Sequence, residues 1–200
     1  MHHQTIRSTK AIEVIQFSDA DDRRWSGTIR LAPFTALPWQ VDARHDVYVI
    51  DGSVTELVMG VPAEYHRASF ISRDHACVLT GGADGAILFV YRDLEALGGG
   101  SISLPAKLQK WRRGRVAGMT VAQLSNHHHQ LILVRWKPGT RAQLHKHPYG
   151  EEIYVLEGEL QDQRGRYPAG TWQRLYADDG HAPFAEVDTL IMLRNGHLRG

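Results

Sequence analysis

Apolar side chains recur along this chain mostly at every second position, in short stretches: IRLAP (29–33), DVYVIDGSV (46–54), AILFVYRD (86–93), LILVRW (131–136), EIYVLEGEL (152–160) and TLIMLRNG (189–196). Alternation of this period sends successive side chains to opposite faces, so each stretch predicts a strand. Gly, Pro, Asp or Asn follows nearly every one and supplies the turns. Helical periodicity is scarce. Its best candidate is one short turn around Leu94 to Leu97, stopped by Gly98, Gly99 and Gly100. Many short strands and almost no helix predict an all-β fold of the barrel, sandwich or jelly-roll type.

The pattern also repeats. IRLAPFT at 29 resembles VRWKPGT at 134, an offset of 105 positions; DVYVIDGSV at 46 resembles EIYVLEGEL at 152, an offset of 106; AILFVYRD at 86 resembles TLIMLRNG at 189, an offset of 103. Three matches in one order at nearly constant offset predict a β unit duplicated in tandem. The boundary expected is the Gly-rich stretch 98–100, giving units 1–100 and 101–200, with SISLPAKLQKWRRGR (101–115) as the linker.

Charge narrows the picture further. A formal net charge of +1 on 200 residues argues against a chain built to hold nucleic acid or an anionic membrane. The balance is uneven, however. Residues 1–100 carry 9 Lys and Arg against 13 Asp and Glu, and residues 101–200 carry 14 against 9, which favours contact between the halves or an anionic ligand in the second. The basic run Lys107 to Arg115 lacks interleaved aromatics and reads as a solvated connector. One cysteine, Cys77, excludes a disulfide framework and reads as a small hydrophobe in a β run. The segment MHHQTIRSTKAIEVIQF shows no signal-peptide pattern and no run reaches the length of a membrane span, so a soluble, cytoplasmic protein is expected. His2 and His3 are too few for a purification tag.

Candidate chemistry concentrates in HKHPYGEEIYVLEGEL (145–160). The spacing runs Gly139, five residues, His145, one residue, His147, three residues, Glu151, six residues, Gly158. Residues two apart on a strand project to one face, so His145 and His147 point together. Glu151 lies past the PYG turn and comes back toward them on the next strand. Three ligand-type groups then converge inside a barrel.

This spacing matches the first motif of the cupin superfamily, G(X)5HXH(X)3-4E(X)6G. The second cupin motif, G(X)5PXG(X)2H(X)3N, is followed in part from Gly170: Tyr176 and Asp178 stand at its Pro and Gly positions, His181 at its histidine and Ala185 at its Asn. The resemblance therefore implies metal ligation by His145, His147, Glu151 and His181, with an altered turn before the last. Over residues 111–195 the segments WRRGRVAGMTVAQL, LVRWKPGTRAQLHKHPYGEEIYVLEGELQDQRGRYPAGTW and HAPF resemble the ChrR-like cupins. The architecture so implied is two tandem cupin-type jelly-roll β-barrels, a bicupin, with 1–100 degenerate and 101–200 metal-binding. Aligning Asp46 with Glu152 puts His45 at the glutamate position, Trp39 or Gln40 and Val41 at the two histidine positions and Leu79 near the last, so the first site reads as lost. A second site would have to be built from His45, His66 and His75; a vestigial barrel lined by ordinary side chains is the preferred reading.

Three imidazoles and one carboxylate suit one divalent transition metal, Fe, Zn, Mn, Ni or Cu, and a six-coordinate ion would keep two positions open for substrate with O₂ or water. The resemblance implies a metal-dependent small-molecule enzyme of dioxygenase type, because ChrR-like cupins include dioxygenases that cleave carbon–carbon bonds of dicarbonyl-type substrates. Glu151, a ligand able to act as a base, is the catalytic candidate. The alternative is a non-catalytic, zinc-binding sensor module of the ChrR anti-sigma-factor type; a β-patterned first half in place of that protein's helical zinc domain argues against it. The partners expected are a small-molecule substrate or ligand and, as an open alternative, a second copy in a homodimer. Of the remaining residues, His127, His128 and His129 read as a polar turn, Glu152 as a surface carboxylate on the opposite strand face, and Tyr149, Tyr154 and Trp172 as pocket lining or core.

Overall fold

The computed structural model describes residues 5–19, 23–40, 42–96 and 98–198. Leu97, Val41, His2 and His3 lie outside them. The chain divides into two compact units, Met1–Leu108 and Gln109–Gly200. Strands dominate both, and the only helical element among the described residues is a single 3₁₀ turn, Ala106–Leu108. The helical turn expected near Leu94 is a simple turn at Leu94 and Glu95.

In the first unit the strands are β1 (Thr5–Ser8), β2 (Ile12–Gln16), β3 (Arg24–Leu31), β4 (Ala36–Trp39), β5 (Arg44–Val58), β6 (Val61–His66), β7 (Phe70–Arg73), β8 (Cys77–Asp93) and β9 (Ile102–Leu104). They pair in the order β1-β2-β3-β8-β5-β7-β9, with β4 on β8 and β6 on β5. Because β9 pairs with β7 beyond the glycine stretch, the first unit extends past Gly100. Its core is aliphatic, with Val47, Val49, Leu79, Leu88 and Val90 almost fully buried.

The second unit holds β10 (Trp111–Arg113), β11 (Met119–Ser125), β12 (Gln130–Trp136), β13 (Thr140–Arg141), β14 (Glu151–Glu157), β15 (Glu159–Asp162), β16 (Gly165–Pro168), β17 (Trp172–Leu175), β18 (Phe184–Ala185) and β19 (Thr189–Asn195). They form a larger sheet, β10-β11-β12-β19-β14-β17, and a smaller one, β13-β18-β15-β16. Leu160 and Ala185 of the smaller sheet pack on Val134, Ile153 and Ile191 of the larger, which makes this unit a β-sandwich. No strand pairing among the described residues closes the two sheets into the barrel expected from the resemblance. The basic segment expected to be a solvated connector is exposed, but part of it forms the edge strand β10.

The order β2-β3-β8-β5-β7 of the first unit recurs as β11-β12-β19-β14-β17 in the second. The likeness extends to a backbone detail. The β5/β8 register shifts between Val49 and Asp51, the β14/β19 register shifts between Val155 and Glu157, and each shift is followed by a left-handed glycine, Gly52 (φ 71°) and Gly158 (φ 73°). A Cβ would stand 2.2 Å from the Gly85 carbonyl oxygen at the first and 2.1 Å from the Asp188 carbonyl oxygen at the second. Both the dihedral and the close approach demand glycine, which explains the last Gly of the sequence motif.

Candidate metal centre

Strands β13 and β18 bring the first and last of the four residues together. Thr140 and Arg141 pair with Ala185 and Phe184, the ladder continues through Ala142 N–H to the Pro183 carbonyl (2.9 Å), and His145 and His181 then exchange both backbone hydrogen bonds at 3.0 Å. Antiparallel pairing thus sets His145 opposite His181 although 36 residues separate them. Beyond His145 the chain leaves the ladder and turns, closed by Gly150 N–H to the His147 carbonyl at 2.9 Å with Gly150 at φ 68°. The turn delivers Glu151 as the first residue of β14, on the same face as the core residues Ile153 and Val155. Where the second motif departs from the cupin pattern, the turn is held by Asp179, whose Oδ2 accepts the Tyr176 N–H at 2.9 Å.

The three imidazoles meet at one place, and Glu151 stands beside two of them. His181 Nε2 lies 3.1 Å from His145 Nε2 and 3.2 Å from His147 Nε2. The Glu151 oxygens stand 3.3 Å from His147 Nε2 and 3.5 Å from His181 Nε2. Donors at ~2.1 Å from one ion lie ~3.0 Å apart when adjacent in an octahedron and ~3.4 Å apart in a tetrahedron, so these separations are those of ligands around a single centre. His145 Nδ1 donates to the Gln143 carbonyl at 2.7 Å, which turns the Nε2 lone pair toward the other three groups.

Electrostatics favour a cation there. Burial pushes the His147 imidazole down to about 4, with the charge of His145 adding to it. Burial followed by His145 and His147 does the same for His181. Both are therefore neutral, the form that ligates metal. Glu151 is 1% exposed, neither carboxylate oxygen has a hydrogen-bond donor, and burial pushes its pKa up to about 8. Three ring nitrogens cluster beside two carboxylate oxygens that have no hydrogen-bond donor, and a divalent ion at the cluster would give these groups a partner. Among the described residues, His145, His147 and His181 are the one group of His, Cys, Asp or Glu whose ligand atoms cluster in this way.

The cluster opens on a cavity of about 870 Å³ inside the second unit. Its walls include Met119, Ile132, Val134, Trp136 and Leu193, and Arg115, Arg141 and Lys146 also face it. Sequence reasoning did not single out these three cations; the basic excess of the second half was the signal that could have found them. Glu151 is the only carboxylate among the lining residues.

Residues 102–199 match the ChrR cupin-like domain family. The second unit carries a ChrR cupin-like domain. Three solved structures, 10–14% identical in sequence, share its fold and that of the preceding unit. A provisionally assigned dioxygenase from Nostoc punctiforme is 14% identical, with a TM-score of 0.77 over 100% of this chain and 81% of its own. A cupin 2 conserved barrel domain protein from Leptotrichia buccalis is 14% identical, with a TM-score of 0.68 over 94% and 91%. Oxalate decarboxylase from Lactobacillus farciminis, in a formate complex, is 10% identical, with a TM-score of 0.74 over 98% and 84%. The sequence matches no curated protein.

Other expected residues take different places. Around the histidine cluster, Tyr149, Tyr154 and Trp172 do not line the cavity: Tyr149 is half exposed, Tyr154 is buried, and Trp172 packs under the Arg174 guanidinium. His127 and His128 are exposed, while His129 is partly buried with its ring 5.8 Å from that of His197. Glu152 does alternate away from Glu151, yet it is not a surface carboxylate. It is fully buried, bonded by Arg174 at 2.5 and 2.7 Å, with His197 Nε2 at 3.4 Å. Burial alone would raise its pKa; His197, Arg174 and Arg194 outweigh that and hold it at about 2. Registry explains the pairing, since Arg174 and Arg194 stand directly opposite Glu152 on the two flanking strands.

In the first unit, His45 is buried with its ring stacked on Trp39, 4.6 Å between centroids. His66 and His75 are exposed beside Glu64 and Asp74. Leu79 is in the hydrophobic core and Trp39 packs against it. Burial and Glu56 push the Cys77 thiol up to about 11, far from a reactive thiolate.

Proposed function

We propose that the protein is a metal-dependent small-molecule enzyme of dioxygenase type, with one divalent transition metal held by His145, His147, Glu151 and His181. We also read the two units as tandem jelly-roll barrels, the first a degenerate copy. The observation that carries the functional reading is the union of a three-histidine cluster, flanked by the Glu151 carboxylate, with a cavity large enough for a small organic molecule. A structural zinc site is closed by its protein ligands, whereas a catalytic site keeps positions open beside a substrate-sized space. The oxalate decarboxylase and the provisionally assigned dioxygenase among the structural neighbours support an enzyme of this kind.

A bound divalent ion would supply Lewis acidity toward substrate oxygens. The chain's own residues do the rest. His145, His147 and His181 would hold the ion through their ring nitrogens, and apolar side chains in the wall limit water at the reacting atoms. Glu151 is the one lining carboxylate that can take a proton from a bound carbon acid such as a β-dicarbonyl, and burial favours its protonated form once it has done so.

Metal analysis of protein purified without a nickel column, combined with oxygen uptake across a panel of β-dicarbonyl compounds, tests this. One metal per chain with oxygen consumption supports the enzyme. The ChrR family match also suits a zinc-binding sensor. Protein loaded in turn with Fe(II), Mn(II), Ni(II), Cu(II) and Zn(II) that turns nothing over, yet binds a partner protein in a redox-dependent way, would replace the enzyme with that sensor.

A further inference from the structure

The cavity of the cupin domain carries positive charge that metal binding does not use. Of its lining side chains, Arg115, Arg141 and Lys146 are cationic, against the single carboxylate of Glu151, which faces the histidines. Lys146 reaches only Asp178, at 4.0 Å and in solvent. Arg115 and Arg141 make no ion pair among the described residues. Arg141 instead lies with its guanidinium 4.3 Å from the ring centroid of Phe184, its partner across the β13/β18 ladder. That contact holds the planar group in one orientation while leaving its N–H donors available.

Arg141 also stands at a defined place relative to the metal centre. Residues 141–148 all line the cavity, with Arg141 four positions from His145. Four residues span at most about 13 Å of extended chain. Apolar side chains, Ile132, Val134 and Leu193 among them, line the same cavity. The cavity thus combines an oxygen-seeking histidine cluster, a carboxylate-seeking fork and apolar wall.

We infer that the site takes an elongated organic anion, with an oxygen chelator at the metal, an apolar chain along the wall and a carboxylate on Arg141 with support from Arg115. This rests on the metal-site reading above and adds the substrate class to it. The basic excess of residues 101–200, 14 against 9, acts in the same direction.

The test uses monohydroxamates of straight-chain dicarboxylic acids, which chelate divalent metals through two oxygens, and their methyl esters, which differ only in the distal charge. Each pair, over a range of chain lengths, is titrated calorimetrically into the Zn(II)-loaded full chain. At the best length the acid should bind about tenfold more tightly than its ester. Arg141→Gln should bring the two within about twofold, and Arg141→Lys should retain part of the preference, with zinc content unchanged in both. Equal binding of acid and ester to the parent protein, or a preference that survives Arg141→Gln combined with Arg115→Gln, overturns the inference while leaving the metal centre standing. Protein that takes up no metal, or that binds these probes equally well after its metal is stripped, overturns the metal reading and this inference with it.

Discussion

Metal uptake by the second unit should release a proton from Glu151, and the pH dependence of affinity should show it. Burial raises that carboxyl to about 8, so at pH 7 the metal-free site holds it mostly protonated. His147 and His181, lowered to about 4 by burial and their neighbours, are already neutral and contribute no proton. A ligand must be deprotonated to bind, so the apparent Kd scales inversely with the fraction of Glu151 that is ionised. For a pKa of about 8, Kd should fall about fivefold from pH 7 to 8 and less than about twofold from 8 to 9. Competition for Zn(II) against a chelating dye calibrated at each pH measures the curve. Calorimetry in two buffers of different ionisation enthalpy counts the proton directly. Glu151→Gln keeps the shape of the group but has no proton to lose, so its curve should be flat over the same range. A parent-protein Kd constant from pH 7 to 8 would mean the carboxyl is ionised without metal, and the argument from burial would be wrong. A slope that persists in Glu151→Gln would place the proton on another residue.

Three other outcomes are expected. His181→Ala should reduce the metal content from close to one per chain to less than about one tenth, by elemental analysis; two metals per chain in the parent would give the first unit a site of its own. Glu152→Ala removes the carboxylate facing Arg174 and Arg194 in a fully buried place, and should destabilise by about 3–5 kcal/mol in denaturant titration. Glu159→Ala, which loses the contact with the exposed Arg166, should lower stability by about 1 kcal/mol or less, and similar losses for the two would refute the assignment of Glu152 to a buried ion pair. Without metal, stability should pass through a maximum near pH 6.5. The histidines with folded values of about 4 (His45, His147, His181 and His197) lose their contribution as pH falls from 6.5 through 4, and Glu151, raised in the native state, loses its contribution as pH rises through 8. A melting temperature in chelator that climbs steadily to pH 9 would contradict this.

Much of the fold and of the site was legible in the sequence because both are written locally. Period-two alternation marked the strands, since a strand's faces are set by residue parity alone. Tandem offsets marked the repeated strand order, down to Gly52 and Gly158, whose left-handed backbone leaves no room for a Cβ. Spacing around His145, His147 and Glu151 needed only one turn to become proximity. Tertiary structure decided what depends on distant segments. His181 meets His145 only because β13 and β18 pair, and Glu152 is buried because Arg174 and Arg194 arrive opposite it on neighbouring strands. Parity had placed Glu152 on the second face of its strand correctly, but parity cannot say whether that face meets water. The cations around the cavity follow the same rule: the sequence counted an excess of charge, and only the assembled walls turned Arg115, Arg141 and Lys146 toward the same space as the metal ligands.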